Sequence, residues 1–228
     1  MRALLLAAGF GTRLRPLTDH IPKCLVPIKG QPLLDIWLER LSDAGVGPFL
    51  VNTHYLSEQV QAYIADSSYA KKVTIAHEEV LLGTAGTLNA NLGFFGGEDC
   101  MLIHADNYCL ADFSAFLRAH AERPAHCLMT MMTFQTETPQ SCGIVELDEK
   151  GVVVAFHEKV AHPPGNLANG AVYLLSAQLL DMMGGQWCRV SDFSTQVLQN
   201  LVGRIYTYQT REFFLDVGTH EALKKANK

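Results

Sequence analysis

Short apolar runs, partly β-branched, recur along the first part of the chain, separated by stretches whose apolar residues fall near helical spacing. The runs are 2–6, 48–52, 73–77, 100–104 and 126–133; the stretches between are 33–44, 57–65, 85–92 and 113–120. Strands with no polar face must be covered on both sides, and a helix between successive strands supplies that cover. The alternation therefore predicts βαβ units and an α/β fold with a mostly parallel sheet. Beyond about residue 135 the rhythm changes. Residues 143–147 and 151–157, joined through Asp148-Glu149-Lys150-Gly151, read as a β-hairpin. A strand at 167–175, helices at 176–183 and 192–201, and a last helix from Thr219 are expected after it. With no repeat, low-complexity tract or long linker, residues 1–228 are expected to form one domain, its second part a lid or subdomain packed on the first.

Composition narrows the partners. With 228 residues, 48% of them hydrophobic, the chain can bury about 70–75% of the surface it exposes when unfolded. A net charge of −5 argues against coating nucleic acid, which demands a surplus of lysine and arginine. The six cysteines are scattered, without a CxxC pair, and read as free thiols of a reducing compartment, so the cytoplasm is expected. The apolar start, Ala3 to Ala8, is too short for a signal core and runs on into Gly9-Phe10-Gly11-Thr12-Arg13. No uncharged apolar run approaches the roughly 18 residues of a membrane span, so no membrane partner is expected; nothing in the sequence speaks to oligomeric state.

The densest local signal is Leu6-Ala7-Ala8-Gly9-Phe10-Gly11-Thr12-Arg13-Leu14, a glycine-rich turn directly after the first strand. Glycines there let backbone N–H groups close on phosphate oxygens with no Cβ in the way. A simple tight turn is the competing reading, and charge separates the two. Residues 1–30 carry Arg2, Arg13, Arg15, Lys23 and Lys29 against one acid, Asp19, in a chain that is acidic overall. Such a pocket suits a small polyanion. The dinucleotide fingerprint fails, because its third glycine falls on Leu14 and no acid closes the second strand near Val51-Asn52. The P-loop pattern GxxxxGK[ST] is absent. His54, His77 and His104 lack metal-ligand spacing, Cys109 and Cys142 show no nucleophile's partners, and Ser191-Asp192 reads as a helix cap.

Residues 6–18, then Ile21-Pro22-Lys23-Cys24-Leu25-Val26-Pro27-Ile28, then Gly30-Gln31-Pro32-Leu33-Leu34, resemble the signature of the sugar-1-phosphate nucleotidylyltransferases. Leu82-Gly83-Thr84-Ala85-Gly86 is similar to that family's base-binding segment, and Asp216-Val217-Gly218-Thr219 to its second metal-aspartate motif. The departures are Ala105, Cys142, Val160 and Phe214, each beside a motif residue rather than on one. The resemblance implies a Rossmann-like open, mostly parallel sheet flanked by helices, with a smaller sugar-binding β/α lid region; about 1–135 would be the nucleotide-binding half and about 136–228 the sugar-binding half. It implies Arg13 and Lys23 as catalytic cations on the triphosphate. Leu6, Ala7, Ala8, Gly9, Gly11, Thr12, Arg13, Gly83 and Thr84 would bind nucleotide. Gly143, Glu158, Lys159 and Asn169 would bind the sugar phosphate, and Asp106 and Asp216 would hold Mg²⁺.

The reaction implied joins an NTP to a sugar 1-phosphate, giving an NDP-sugar and pyrophosphate. Phosphoryl-type transfer of this kind is mostly positioning and charge neutralisation, which matches a glycine cradle with cations and carboxylates. GTP is the favoured nucleotide, with UTP, CTP and dTTP open, and backbone groups of Ala7, Ala8 and Gly83 are expected to read the base. A cytidylyltransferase acting on a non-sugar phosphate and a non-catalytic nucleotide-sugar sensor are the alternatives. A glycosyltransferase would carry an Asp-x-Asp pair, and none exists. Asp106 and Asp216 each follow an apolar strand, so a parallel sheet is expected to bring both to its carboxyl edge.

Overall fold

The computed structural model describes residues 1–228. The chain runs β1 (Arg2–Leu6), β2 (Pro27–Ile28), β3 (Gln31–Pro32), α1 (Leu33–Asp43), β4 (Phe49–Thr53), α2 (Ser57–Asp66), β5 (Val73–His77), α3 (Thr84–Ala90) and α4 (Leu92–Phe95). It continues through β6 (Cys100–His104), β7 (Asn107–Cys109), α5 (Phe113–Ala121), β8 (Met129–Gln135), β9 (Gly143–Leu147), β10 (Val153–Glu158) and β11 (Leu167–Leu175). Then follow α6 (Ala177–Gly184), α7 (Phe193–Gln196), β12 (Ile205–Gln209), β13 (Phe214–Asp216) and α8 (His220–Ala226). Two compact units emerge, the first built from 1–81, 103–111 and 212–228, the second from 82–102 and 112–211. A boundary near residue 135 falls inside the second unit, and β6 begins in one unit and ends in the other.

In the first unit β1, β4 and β5 pair in parallel, with Leu6 opposite Asn52 and Asn52 opposite Ala76. This register aligns their carboxyl ends, so the glycine turn after β1, His54 after β4 and Glu78 after β5 leave the sheet at one edge. Helix α1 places Leu34, Trp37, Leu38 and Leu41 on one buried stripe. Burying each leucine contributes about 1.5–3 kcal/mol. From that stripe the Trp37 indole donates to the Asn107 carbonyl at 2.8 Å, while Arg40 donates to the Leu110 and Ala111 carbonyls. These bonds pin the segment that carries Asp106.

One expectation is corrected here. Asp216 does not reach the site from the parallel sheet: β13 pairs antiparallel with β7 in a separate ribbon, with Asp216 opposite Asn107. The chain turns out of β6 at Ala105-Asp106, so β7 leaves the sheet and takes its own partner. The Val217 N–H then donates to the Asp106 carbonyl at 3.1 Å, fixing one aspartate's backbone to the other's neighbour.

The second unit is a mixed sheet. Strand β11 runs antiparallel to β8 and β9, the β9–β10 hairpin forms as predicted, and β12 lies parallel to β8. Strand and helix make each unit α/β as expected, and the parallel pairing expected holds for β1, β4 and β5 and for β12 with β8, whereas β9, β10 and β11 pair antiparallel. The helix expected over 192–201 is two short pieces, because Val197 departs from helical geometry at φ −105° and the chain tightens into a 3₁₀ turn at Leu198–Leu201. Asp192 caps α7, accepting from the Thr195 N–H. All six cysteines are free thiols, and no helix is long and apolar enough to cross a membrane.

A buried polar cluster fastens this unit. His120, 3% exposed on α5, meets Thr130 Oγ1 through Nδ1 at 2.8 Å and Asp99 Oδ2 through Nε2 at 3.2 Å. The other Asp99 oxygen accepts the Ala177 N–H at the start of α6. Burial and then the neighbouring Arg123 push the imidazole pKa down to about 4, against the pull of Asp99. Below the ordinary value of roughly 6.5 the unfolded chain takes a proton that the folded chain refuses, so stability is complete above that pH and falls towards pH 4. The loss amounts to about 3 kcal/mol. Thermal melts from pH 7 to pH 4 should show it, and His120→Gln should flatten the slope; an unchanged slope would assign the loss to carboxylates.

Candidate active site

Leaving β1, the chain enters the glycine turn with Gly11 in the left-handed region, φ 63° and ψ 27°, and tightens into a 3₁₀ turn over Thr12–Leu14. A side chain at Gly11 would be strained twice, by that backbone and by Thr18 Cγ2 at 3.0 Å and Lys23 Cβ at 3.2 Å from the ideal Cβ. Gly9 has open space around it. Buried Thr18 braces the turn, its hydroxyl donating to the Gly11 carbonyl at 2.8 Å. Phe10 is exposed and packs edge-on against His54, with Tyr55 beside it.

Asn52 and Glu78 were not singled out in the sequence, yet they are buried together at the carboxyl edge of the strands. Asn52 Oδ1 accepts the Ala7 N–H at 2.7 Å, and its Nδ2 donates to Glu78 Oε1 at 2.9 Å. Of the Ala7 backbone groups expected to read a base, the N–H is thus already committed. Asn52 directly follows the apolar run 49–51, but Glu78 is separated from 73–76 by His77, so the sequence alone does not pair them.

The charged residues of this unit converge. Lys23 Nζ lies 2.8 Å from Asp106 Oδ2 and 3.5 Å from Asp216 Oδ1, and Arg13 reaches Asp216 Oδ2 at 3.4 Å. Lys23 arrives from a 3₁₀ turn after Pro22, with its side chain only 10% exposed. Partial shielding from water works against a charge on Asp106, but attraction to Lys23 and His104 and the hydrogen bond from Lys23 outweigh it and hold the carboxyl below its usual range. Gly218 leaves room for Arg13, whose guanidinium would overlap a Cβ there. Two carboxylate groups offering hard oxygen donors suit Mg²⁺, which takes one or two carboxylates and completes its shell with phosphates and water. No group of three or more His, Cys, Asp or Glu residues forms a further metal-like cluster.

The remaining candidates belong to the second unit. Gly143 faces Glu158 across the hairpin, and a Cβ there would come within 2.8 Å of Glu158 Oε2 and 2.7 Å of Phe156 Cζ, so only glycine admits that carboxylate. Lys159, with φ 50°, turns out of β10 and pairs with Glu158 at 3.4 Å. Asn169 precedes a bulge in β11 centred on Ala171, φ 52°. Its Oδ1 accepts the Ala171 N–H and its Nδ2 donates to the Tyr173 hydroxyl, both within 2.9 Å. At the start of α3, Thr84 Oγ1 accepts the Phe193 N–H, while the Ala85 and Gly86 N–H groups go to the Ser191 carbonyl, leaving that helix end little to offer a ligand. The positive φ of Gly83, 78°, fits the same packing, since a Cβ would collide with the Ser191 carbonyl oxygen.

With this fold and these clusters, the chain belongs to the nucleotidyl transferase family, whose family model matches residues 2–228. It is 30% identical over 222 residues to mannose-1-phosphate guanylyltransferase of Mycobacterium tuberculosis, an alignment covering 96% of this chain and 61% of that one. It is 28% identical over 222 residues to D-glycero-alpha-D-manno-heptose 1-phosphate guanylyltransferase of Campylobacter jejuni, covering 97% and 96% respectively. The crystal structure of HddC from Yersinia pseudotuberculosis complexed with GMP-PN shares the fold, with a TM-score of 0.82 at 23% identity over 99% of this chain and 97% of that one. The chain spans between 49% and 62% of the length of several other curated relatives that it matches.

The two loop glycines should respond differently to substitution. Gly11→Ala should cost about 1–2 kcal/mol of stability for the left-handed backbone, and Gly9→Ala less than about 0.5 kcal/mol. Urea denaturation of both variants decides it, and equal losses would show that the turn is not braced at Gly11.

Proposed function

We propose that the chain transfers a nucleotidyl group from GTP to a manno-configured sugar 1-phosphate, releasing pyrophosphate. The observation that carries this reading is the cluster of Arg13, Lys23, Asp106 and Asp216 beside a glycine turn, in a member of the nucleotidyl transferase family. The names of the relatives from M. tuberculosis and C. jejuni support the sugar and the base.

In this mechanism an oxygen of the sugar phosphate attacks the α-phosphorus, forming one P–O bond while the bond to the β-phosphate breaks and its electron pair leaves with pyrophosphate. The attacking oxygen is already anionic, so no protein base or covalent intermediate is required. Catalysis then rests on alignment and on neutralising charge. Leu6, Ala8, Gly9, Gly11 and Thr12 line the triphosphate's path along the turn, and Arg13 and Lys23 bind its phosphates. Asp106 and Asp216 would hold Mg²⁺, which when bound supplies positive charge at the reacting phosphates. From the second unit, Glu158 and Asn169 bind sugar hydroxyls and Lys159 binds the acceptor phosphate; Gly143 keeps space for Glu158. Gly83 and Thr84 are assigned to the nucleotide.

Base choice is assigned to Glu78. A guanine edge presents N1–H and N2–H₂ as neighbouring donors, and a carboxylate accepts from both. Asn52 donates to the buried Glu78 and accepts from Ala7, which ties the acid to the start of the glycine turn.

Pyrophosphate release across a grid of NTPs and sugar 1-phosphates, with Mg²⁺ present, tests the reading; GTP with a manno-configured acceptor should be the best pair, and no release from any pair would defeat it. Glu78→Gln keeps the bond from Asn52 but replaces an acceptor with a donor, so kcat/KM for GTP should fall about 10- to 150-fold, the value of a charged hydrogen bond, while UTP turnover changes little. Lys159→Ala should raise KM for the sugar phosphate by a similar factor of about 10 to 150 and leave KM for GTP near wild type; equal effects on both substrates would contradict its assignment.

A further inference from the structure

The ammonium of Lys23 sits where two carboxylates converge, 2.8 Å from Asp106 and 3.5 Å from Asp216. It approaches from the protein side, its side chain 10% exposed, whereas the carboxylates are 42% and 50% exposed and open to solvent. A divalent cation shared by those carboxylates would take oxygens of both as ligands. An ammonium within hydrogen-bonding reach of the same pair occupies the same electrostatic well, and the two cations repel at such separation.

We propose that Lys23 is a displaceable counter-ion: it competes with divalent metal for the Asp106–Asp216 pair in the nucleotide-free protein, and a nucleotide's phosphates open the pair to metal by drawing the ammonium away. The proposal rests on reading these aspartates as the metal pair. Lys23 is built for such an exchange, because its base is fixed and its tip is not. The Cβ lies 3.2 Å from where a Gly11 side chain would begin, so the lysine is anchored beneath the glycine turn. Its four-carbon stem can swing the ammonium from the carboxylates towards phosphates on that same turn. Arg13 cannot substitute, since it touches only Asp216, at 3.4 Å and with 63% of its side chain exposed. Without Lys23 or a metal, Asp106 faces Asp216 with no cation of its own, and only the exposed Arg13 offsets the pair. Metal and nucleotide therefore strengthen each other's binding by equal factors, as linkage requires.

The test is Mn²⁺ binding to the full chain without nucleotide, read by the loss of the free-ion electron paramagnetic resonance signal. Lys23→Met should bind Mn²⁺ at least tenfold more tightly than wild type, and its melting temperature in EDTA should lie below wild type and recover on adding Mn²⁺. Should Lys23→Met fail to fold, Lys23→Gln, which keeps a polar tip but no charge, carries the same expectations. Adding Asp106→Asn or Asp216→Asn to the lysine variant should abolish the tight binding. Affinity in the lysine variants equal to or weaker than wild type overturns the proposal. Tight binding that survives loss of both aspartates instead overturns the metal-pair reading on which it rests.

Discussion

Asp106 and Asp216 are distant in the chain and close in the structure, and Lys23 is the cation that lets them stay close. Like charges at this separation repel, and the repulsion grows as solvent is excluded. The first unit is arranged around that constraint. Helix α1 ties down Asn107, Leu110 and Ala111, the β7–β13 ribbon brings Asp216 opposite Asn107, and the turn after Pro22 points Lys23 between the carboxylates. The glycine turn closes over the lysine's Cβ, so the turn and the carboxylate pair share one anchor.

Where periodicity is strong, the sequence was readable. Strands 2–6, 73–77, 100–104, 143–147 and 167–175 have the bounds expected, because each is an apolar run between turn residues. The β7–β13 ribbon escaped as a pairing, since three residues per strand carry no period and their partnership depends on the chain's turn at Ala105-Asp106. Strand β12, Ile205–Gln209, was missed although Ile-Tyr-Thr-Tyr carries strong β-propensity. The helix over 192–201 was overestimated, because a good cap at Asp192 says where a helix starts and not how far it runs.

The candidate site was legible for a different reason. Its glycine turn and cations stand out as a basic stretch in an acidic chain, and its aspartates lie in motifs that resemble those of the sugar-1-phosphate nucleotidylyltransferases. Asn52 and Glu78 do not form a motif. Their partnership comes from the parallel register, which sets the ends of β4 and β5 side by side, and register is invisible until the sheet is assembled. Asn169 is similar: the sequence names it, but its orientation is set by the bulge at Ala171 and the hydroxyl of Tyr173.

The division into units also orders events in time. The first unit needs residues 212–228 to complete it, while residues 82–102 and 112–211 of the second are all made before them. On the ribosome the second unit can therefore reach its full complement of strands while the first still lacks β13 and α8. Asp216 emerges after every residue of the second unit, so the carboxylate pair forms only once that unit's chain has been made. Until then a nascent chain has the glycine turn, Lys23 and Asp106, and the lysine has one carboxylate to pair with instead of two.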